Sequence, residues 1–239
     1  MIRIWAAALA FLMALAATPV QTHSFGSTIT WNREISRLFY DRCATCHREG
    51  GTAFSLMTYQ EAQARLAGIK DAVLARRMPP WGAVKGFGEF RNDRGLTQEQ
   101  VELVSSWIET GARRGNNRRM LPDTPTKFEP PPGVPARRPA GSLVVSRDLT
   151  LDRDVMLDGV LPDGVRRSTV MKVTAVRPDG SVEPLVWLYE YDERFRHAFL
   201  FRKPVTLPRG TIIRGVRAPA RLTLLPVEPG HDSAGKSGE

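Results

Sequence analysis

Cys43-Ala44-Thr45-Cys46-His47 holds the only two cysteines of the 239-residue chain. Two thiols three positions apart, followed at once by an imidazole, match the attachment signature of c-type haem. Each thiol can add across one vinyl group of the porphyrin to give a thioether. The histidine beside the second thioether then offers a ring nitrogen to the iron, whose potential is set by axial ligands and burial. Three plainer chemistries use the same residues. A disulfide would close a tight loop in an oxidising compartment. A thioredoxin-like pair lies between a strand and a helix, whereas the residues before Cys43 read as helical. A structural zinc needs four ligands, and the other histidines, His23, His197 and His231, stand alone in the sequence. Only haem attachment explains the adjacent histidine. One covalent haem c is therefore expected, with His47 as an iron ligand.

A sixth ligand is offered by Arg76-Arg77-Met78-Pro79-Pro80-Trp81. Proline restricts the unfolded chain, so a loop stiffened by Pro79 and Pro80 can hold the Met78 thioether against iron at low entropic cost. His/Met ligation raises the potential and suits electron transfer. Ordinary packing is the competing role for a soft thioether, and Met57 is assigned to it. Phe54, Leu56 and Pro79 are expected as pocket walls. Trp81, Arg76 and Arg77 are placed within reach of the haem propionates.

Several elements must position these groups. Thr30 or Asn32 can cap a helix toward Tyr40, with Ile35, Leu38 and Phe39 on its apolar face. Thr58–Leu66 and Ile69–Arg77 are further helix candidates, the latter stopped by Pro79 and Pro80. Thr97-Gln98-Glu99-Gln100 reads as a capping box. It opens a helix with Val101, Val104, Trp107 and Ile108 as its stripe and Gly111 at its C-terminal cap. This order resembles that of a small class I cytochrome c, whose first and last helices pack beside the haem.

From 141 onward the pattern becomes short β runs: Leu143–Val145, Val155–Leu157, Val170–Arg177, Leu185–Tyr191, His197–Phe201, Thr211–Val216 and Arg221–Leu225. Pro162-Asp163-Gly164 and Pro178-Asp179-Gly180 read as turns. Strands with turn signals and almost no helix predict an antiparallel β-sandwich. The expected fold class is thus α+β and multidomain: an N-terminal all-α class I cytochrome c domain, a Pro-rich linker and a C-terminal antiparallel β-sandwich. The expected bounds are a signal peptide at 1–24, a haem domain at 27–115, a Pro/Arg-rich linker at 116–140, the sandwich at 141–227 and a disordered tail at 228–239.

The segment Arg42–Gly115 resembles the cytochrome c domain fused to bacterial ascorbate-dependent type II copper monooxygenase-like proteins. The resemblance rests on Cys43–Arg48, Ala53-Phe54-Ser55-Leu56, Thr58-Tyr59, Arg77-Met78-Pro79-Pro80-Trp81, Asn92-Asp93-Arg94, Leu96-Thr97 and Trp107–Ala112. It implies a haem c segment with Met78 as distal ligand. Met171–Ala175, Pro178-Asp179-Gly180 and Lys203–Ile212 look like the C-terminal half of that family's copper-binding sandwich. The family's His-x-His pair precedes the first of these segments, but this chain has Asp163-Gly164-Val165-Arg166-Arg167-Ser168-Thr169 there. The resemblance therefore implies a reduced sandwich without its copper ligands, and no copper is expected. His197 is read as an ordinary surface or strand residue, and Met156 and Met171 as core.

The remaining signals bound location and partners. Met1–Ala17 has one early arginine, Arg3, then an apolar run ending in Ala14-Leu15-Ala16, the pattern of a secretory signal. An uncleaved anchor would be the only membrane contact. A periplasmic or otherwise exported protein is expected. Lys plus Arg outnumber Asp plus Glu by 34 to 25, a formal charge of +9, which can steer toward an acidic redox partner. No nucleic-acid motif accompanies the charge. The leading expectation is an exported monohaem cytochrome that passes single electrons, not a stand-alone catalyst. The alternatives are a haem component of a monooxygenase or peroxidase system, and a haem-based sensor or binding module with an exposed row at Trp187, Tyr189 and Tyr191.

Overall fold

A computed structural model describes residues 28–130, 133–167 and 169–228. The expected signal at 1–24 and the polar tail beyond Glu228 lie outside these residues. A π-helical turn, Trp31–Ile35, runs directly into helix α1, Ser36–Arg42. Two short helices follow, α2 (Tyr59–Gln63) and α3 (Leu66–Leu74), then the longest, α4 (Gln98–Glu109). Reciprocal caps start α2 and α4: Thr58 with Glu61, and Thr97 with Gln100, each pair satisfying two otherwise free backbone donors. The α4 stripe Val101, Val104 and Trp107 is buried against Trp31, Ile35 and Phe39. The Trp107 indole donates to the Arg113 carbonyl at 3.0 Å, and the Trp31 amide donates to the same oxygen at 2.9 Å. The start and end of the helical region are thereby tied together.

Eight strands follow: β1 (Leu143–Val145), β2 (Leu149–Thr150), β3 (Val155–Asp163), β4 (Met171–Val176), β5 (Val182–Leu188), β6 (Phe199–Leu207), β7 (Ile212–Arg214) and β8 (Arg221–Pro226). They form two four-stranded antiparallel sheets, ordered β1-β8-β3-β6 and β2-β7-β4-β5. Alternation along β4 turns Met171, Val173 and Ala175 inward, the period-2 consequence of a pleated strand. Inward residues of both sheets, such as Leu157 and Leu224 from one and Val173 and Ile213 from the other, share one core. Met156 stands on the outward face of β3 and is half exposed, because it is one residue out of step with Val155 and Leu157. It is not the core residue expected. Pro162 and Asp163 belong to β3, and the turn begins at Gly164.

The fold class differs from the one expected. The molecule is dominated by antiparallel sheet, and the described residues hold only four short α-helices and no large all-α domain standing apart. The physical reason is the segment between α3 and α4. Trp81 and Phe90 are buried in the core of the sheets, not with the helices. Ala83 forms an antiparallel bridge with Leu188, and Phe90 forms one with Phe201. Backbone bonds run from Val84 N to Trp187 O and from Tyr189 N to Gly82 O on one side. On the other side they run from Arg91 N to Leu200 O and from Arg202 N to Glu89 O. β5 and β6 are edge strands of the two sheets, and exposed edges are templates for unwanted pairing. A single strap, residues 81–92, therefore covers one edge of each sheet. Gly82 lets it turn, with φ +68 and no room for a Cβ beside the Tyr191 ring. The proline-rich stretch also touches both parts. Phe128 lies under the Arg48 guanidinium, 4.5 Å from its ring centroid, and Gly133 O accepts from Ala198 N.

Candidate functional site

α1 ends where the cysteine motif begins, and the chain coils into turns that keep the chemistry on one side. Cys43 N and Ala44 N both donate to Phe39 O, and Cys46 N and His47 N both donate to Cys43 O. The chain then returns: Ala53 N donates to Cys46 O and Leu56 N to His47 O. Gly51 permits this return, since a Cβ there would lie 2.3 Å from Cys46 O. The returning strand carries Phe54, whose carbonyl lies 2.9 Å from His47 Nδ1. A carbonyl can only accept, so Nδ1 carries the proton and Nε2 keeps its lone pair, the form of imidazole that binds metals. Burial holds the His47 pKa below its ordinary value, assisted by the Arg65 charge and opposed by the Phe54 hydrogen bond.

The motif is latched to the two residues that follow the strap. Arg94 donates to Thr45 Oγ1 at 3.0 Å, and Arg42 to Asp93 O at 3.1 Å. Asn92 in turn clasps β6: its amide nitrogen donates to Ala198 O at 2.8 Å, and its oxygen accepts from Leu200 N at 3.1 Å. Asn92-Asp93-Arg94 is thus the joint between the cysteine motif and the sheets.

Cys43, Cys46, His47, Phe54, Leu56, Met78, Pro79 and Trp81 all line one cavity of about 930 Å³, at the upper end of the ~300–1,000 Å³ range of cofactor sites. Its walls are mainly apolar. Among the described residues its charged lining consists of Arg42, Arg65, Arg94, Arg194 and Arg196, with no aspartate or glutamate. Such a site suits a flat apolar group with anions at its edge, and it includes the two thiols and an imidazole whose tautomer leaves Nε2 free. The residues present therefore fit haem c. The two thiols are unpaired. Burial pushes the Cys43 thiol up to about 12, helped by Asp41 and Cys46. No group of three or more His, Cys, Asp and Glu side chains among the described residues is arranged to hold a metal ion.

Other expected placements fall elsewhere. Arg76 donates to Leu96 O and Gln98, and Arg77 pairs with Asp71; neither lines the cavity. The cationic residues that do line it come from the end of α1 (Arg42), the start of α3 (Arg65), the segment just after the strap (Arg94) and the 194–196 turn. His197 is not a surface residue: it is 3% exposed, lines the same cavity and stacks on Trp81 with centroids 5.0 Å apart. Nothing local in the sequence marks Arg194, Arg196 or His197, because they reach the cavity only once β6 pairs with the strap. The aromatic row is not a continuous exposed surface: Tyr189 is exposed, but Tyr191 is buried in the core and Trp187 is covered by Phe87. No helix among the described residues is long and apolar enough to cross a membrane. No protein-family model, curated protein or solved structure matches the chain.

Proposed function

We propose that this protein is an exported monohaem c-type cytochrome that passes single electrons. Cys43 and Cys46 would hold haem c through thioethers, and His47 and Met78 would be its iron ligands. One observation carries the reading: the two thiols, the imidazole and the thioether converge on a single cavity that has apolar walls and no carboxylate. When bound, haem c supplies a one-electron iron couple whose potential follows its ligands and burial.

The chain's own groups have distinct tasks. The Phe54 carbonyl fixes the tautomer and orientation of His47. Leu56, Pro79 and Trp81 give the cavity apolar walls, and Arg194 and Arg196 bring positive charge to it. Phe54 and Phe195 are partly exposed there, with Arg65 lying over Phe54 and Arg194 over Phe195. An apolar centre flanked by guanidinium groups suits an acidic redox partner, which opposite charge would steer to the site. Similarity to the cytochrome segment of copper monooxygenase-like proteins supports the same ligand pair through Met78-Pro79-Pro80-Trp81. The apolar N-terminal run supports export. Copper has no part in this reading.

The test is the absorption spectrum of the purified protein, oxidised and reduced, with and without Met78→Ala. The expected result is a c-type spectrum that survives denaturation, with a methionine–iron charge-transfer band lost in the variant. A chain without covalent haem overturns the reading. High-spin iron with peroxidase turnover in the unmodified protein would transfer it to the enzymatic alternative.

A further inference from the structure

The two histidines among the described residues, His47 and His197, line one cavity although they lie far apart in the chain. They are prepared in the same way. His47 Nδ1 is 2.9 Å from Phe54 O, and His197 Nδ1 is 2.8 Å from Phe195 O. Because a carbonyl only accepts, each Nδ1 carries the proton and each Nε2 is left with a lone pair. His197 is 3% exposed, and its Nε2 is buried with no hydrogen-bond partner. A buried acceptor left unpartnered costs free energy, so such a group calls for an explanation. Packing alone does not supply one, since an apolar ring would stack on Trp81 equally well. His197 also enters beside the Met78 loop: Trp81, three residues beyond Met78, covers its ring at 5.0 Å.

We propose that His197 is a reserve axial ligand for the haem iron, able to take the sixth position when Met78 leaves it. The proposal rests on the haem reading above. In the exchange the Met78 thioether–iron bond breaks and a bond from His197 Nε2 to iron forms; no proton or electron is transferred. The iron passes from His/Met to two-imidazole ligation, which lowers its potential because methionine ligation is what raises it. The β body would thus tune the reduction potential through a residue outside the cysteine motif.

The test uses the full holoprotein as Met78→Ala, His197→Gln and the double variant, read by absorption and electron paramagnetic resonance. Met78→Ala is expected to lose the charge-transfer band yet stay low-spin with a two-imidazole signature and a lowered potential. The double variant is expected to become high-spin and to bind added imidazole about tenfold or more tightly than Met78→Ala does, since an internal competitor acts at high effective concentration. Resonance spectra of Met78→Ala alone decide the matter if His197→Gln does not fold. High-spin iron in Met78→Ala, or a low-spin signal that His197→Gln leaves unchanged, overturns the proposal while leaving the haem reading standing. A chain without covalent haem overturns both.

Discussion

The helical region and the β body meet at one cavity and bring different things to it. From the helical side come the two thiols, His47 and the Met78 loop, groups that form bonds. From the β side come Arg194, Arg196 and His197, which bring charge and a buried lone pair. The helical groups act through short-range sequence: the motif coils on itself and is braced by Phe54, seven residues beyond His47. The β groups act through long-range pairing, because the 194–197 turn reaches the cavity only after β6 has joined both β3 and the strap. Bond-forming groups can thus be encoded as a compact motif. The electrostatic and steric surroundings of the same site depend on how distant segments pack.

Four experiments would break or sharpen this comparison. The largest effect is expected from Cys43→Ala/Cys46→Ala. Without either thioether, covalent haem should be lost completely, as read by haem staining after denaturing electrophoresis; retained stain would mean that the motif is not the attachment point. Next comes Trp81→Ala, which removes a ring 4% exposed that belongs to the β core while lining the cavity. A buried tryptophan truncation costs roughly 3–5 kcal/mol. If the two regions unfold as one unit, helical and β signals should shift to the same lower midpoint in denaturant. If only one signal shifts, the strap does not couple them.

Thr97→Ala should have a smaller effect. It removes the capping box at α4, whose hydroxyl accepts from Gln100 N at 3.2 Å, and such caps contribute about 1 kcal/mol. The loss should appear in the helical signal, measured by circular dichroism melts, and should leave the haem spectrum unchanged. The smallest effect is acid-linked. A hydrogen bond from Arg194 holds the Asp192 carboxyl below its ordinary value of 3.8. A depressed carboxylate stabilises the fold above the unfolded value, and that contribution is lost as pH falls through the folded value. Stability measured from pH 5 downward should therefore decline less steeply in Asp192→Asn than in the unmodified chain. The difference will be modest, because Arg194 is largely exposed and exposed pairs contribute little. Equal slopes would show that the pair does not brace the 194–197 turn.

Much of the local structure could be read in advance. The α4 capping box, the Val101–Val104–Trp107 stripe and the Leu143–Val145 and Arg221–Leu225 strand runs carry their own signals, because caps and periodicity are properties of neighbouring residues. The assembly could not be read that way. Residues 81–92 show neither helical nor strand periodicity, so nothing marks them as a strap over two sheet edges, whereas the order of helices around the cysteine motif points to a separate all-α domain. Arg76 and Arg77 look well placed for the cavity because they precede Met78, yet Leu96, Gln98 and Asp71 claim them.

The sequence by itself determined the candidate chemistry: two thiols, an imidazole and a thioether in loops with few conformational options. The tertiary structure alone decided that these groups share a cavity with five arginines and a second prepared histidine. The physical reason is range. Thioether spacing and helix caps are set by bonds within a few residues. The charge and burial around the site are set by sheet edges, which the chain closes with a segment more than a hundred residues away, as Phe90 pairs with Phe201.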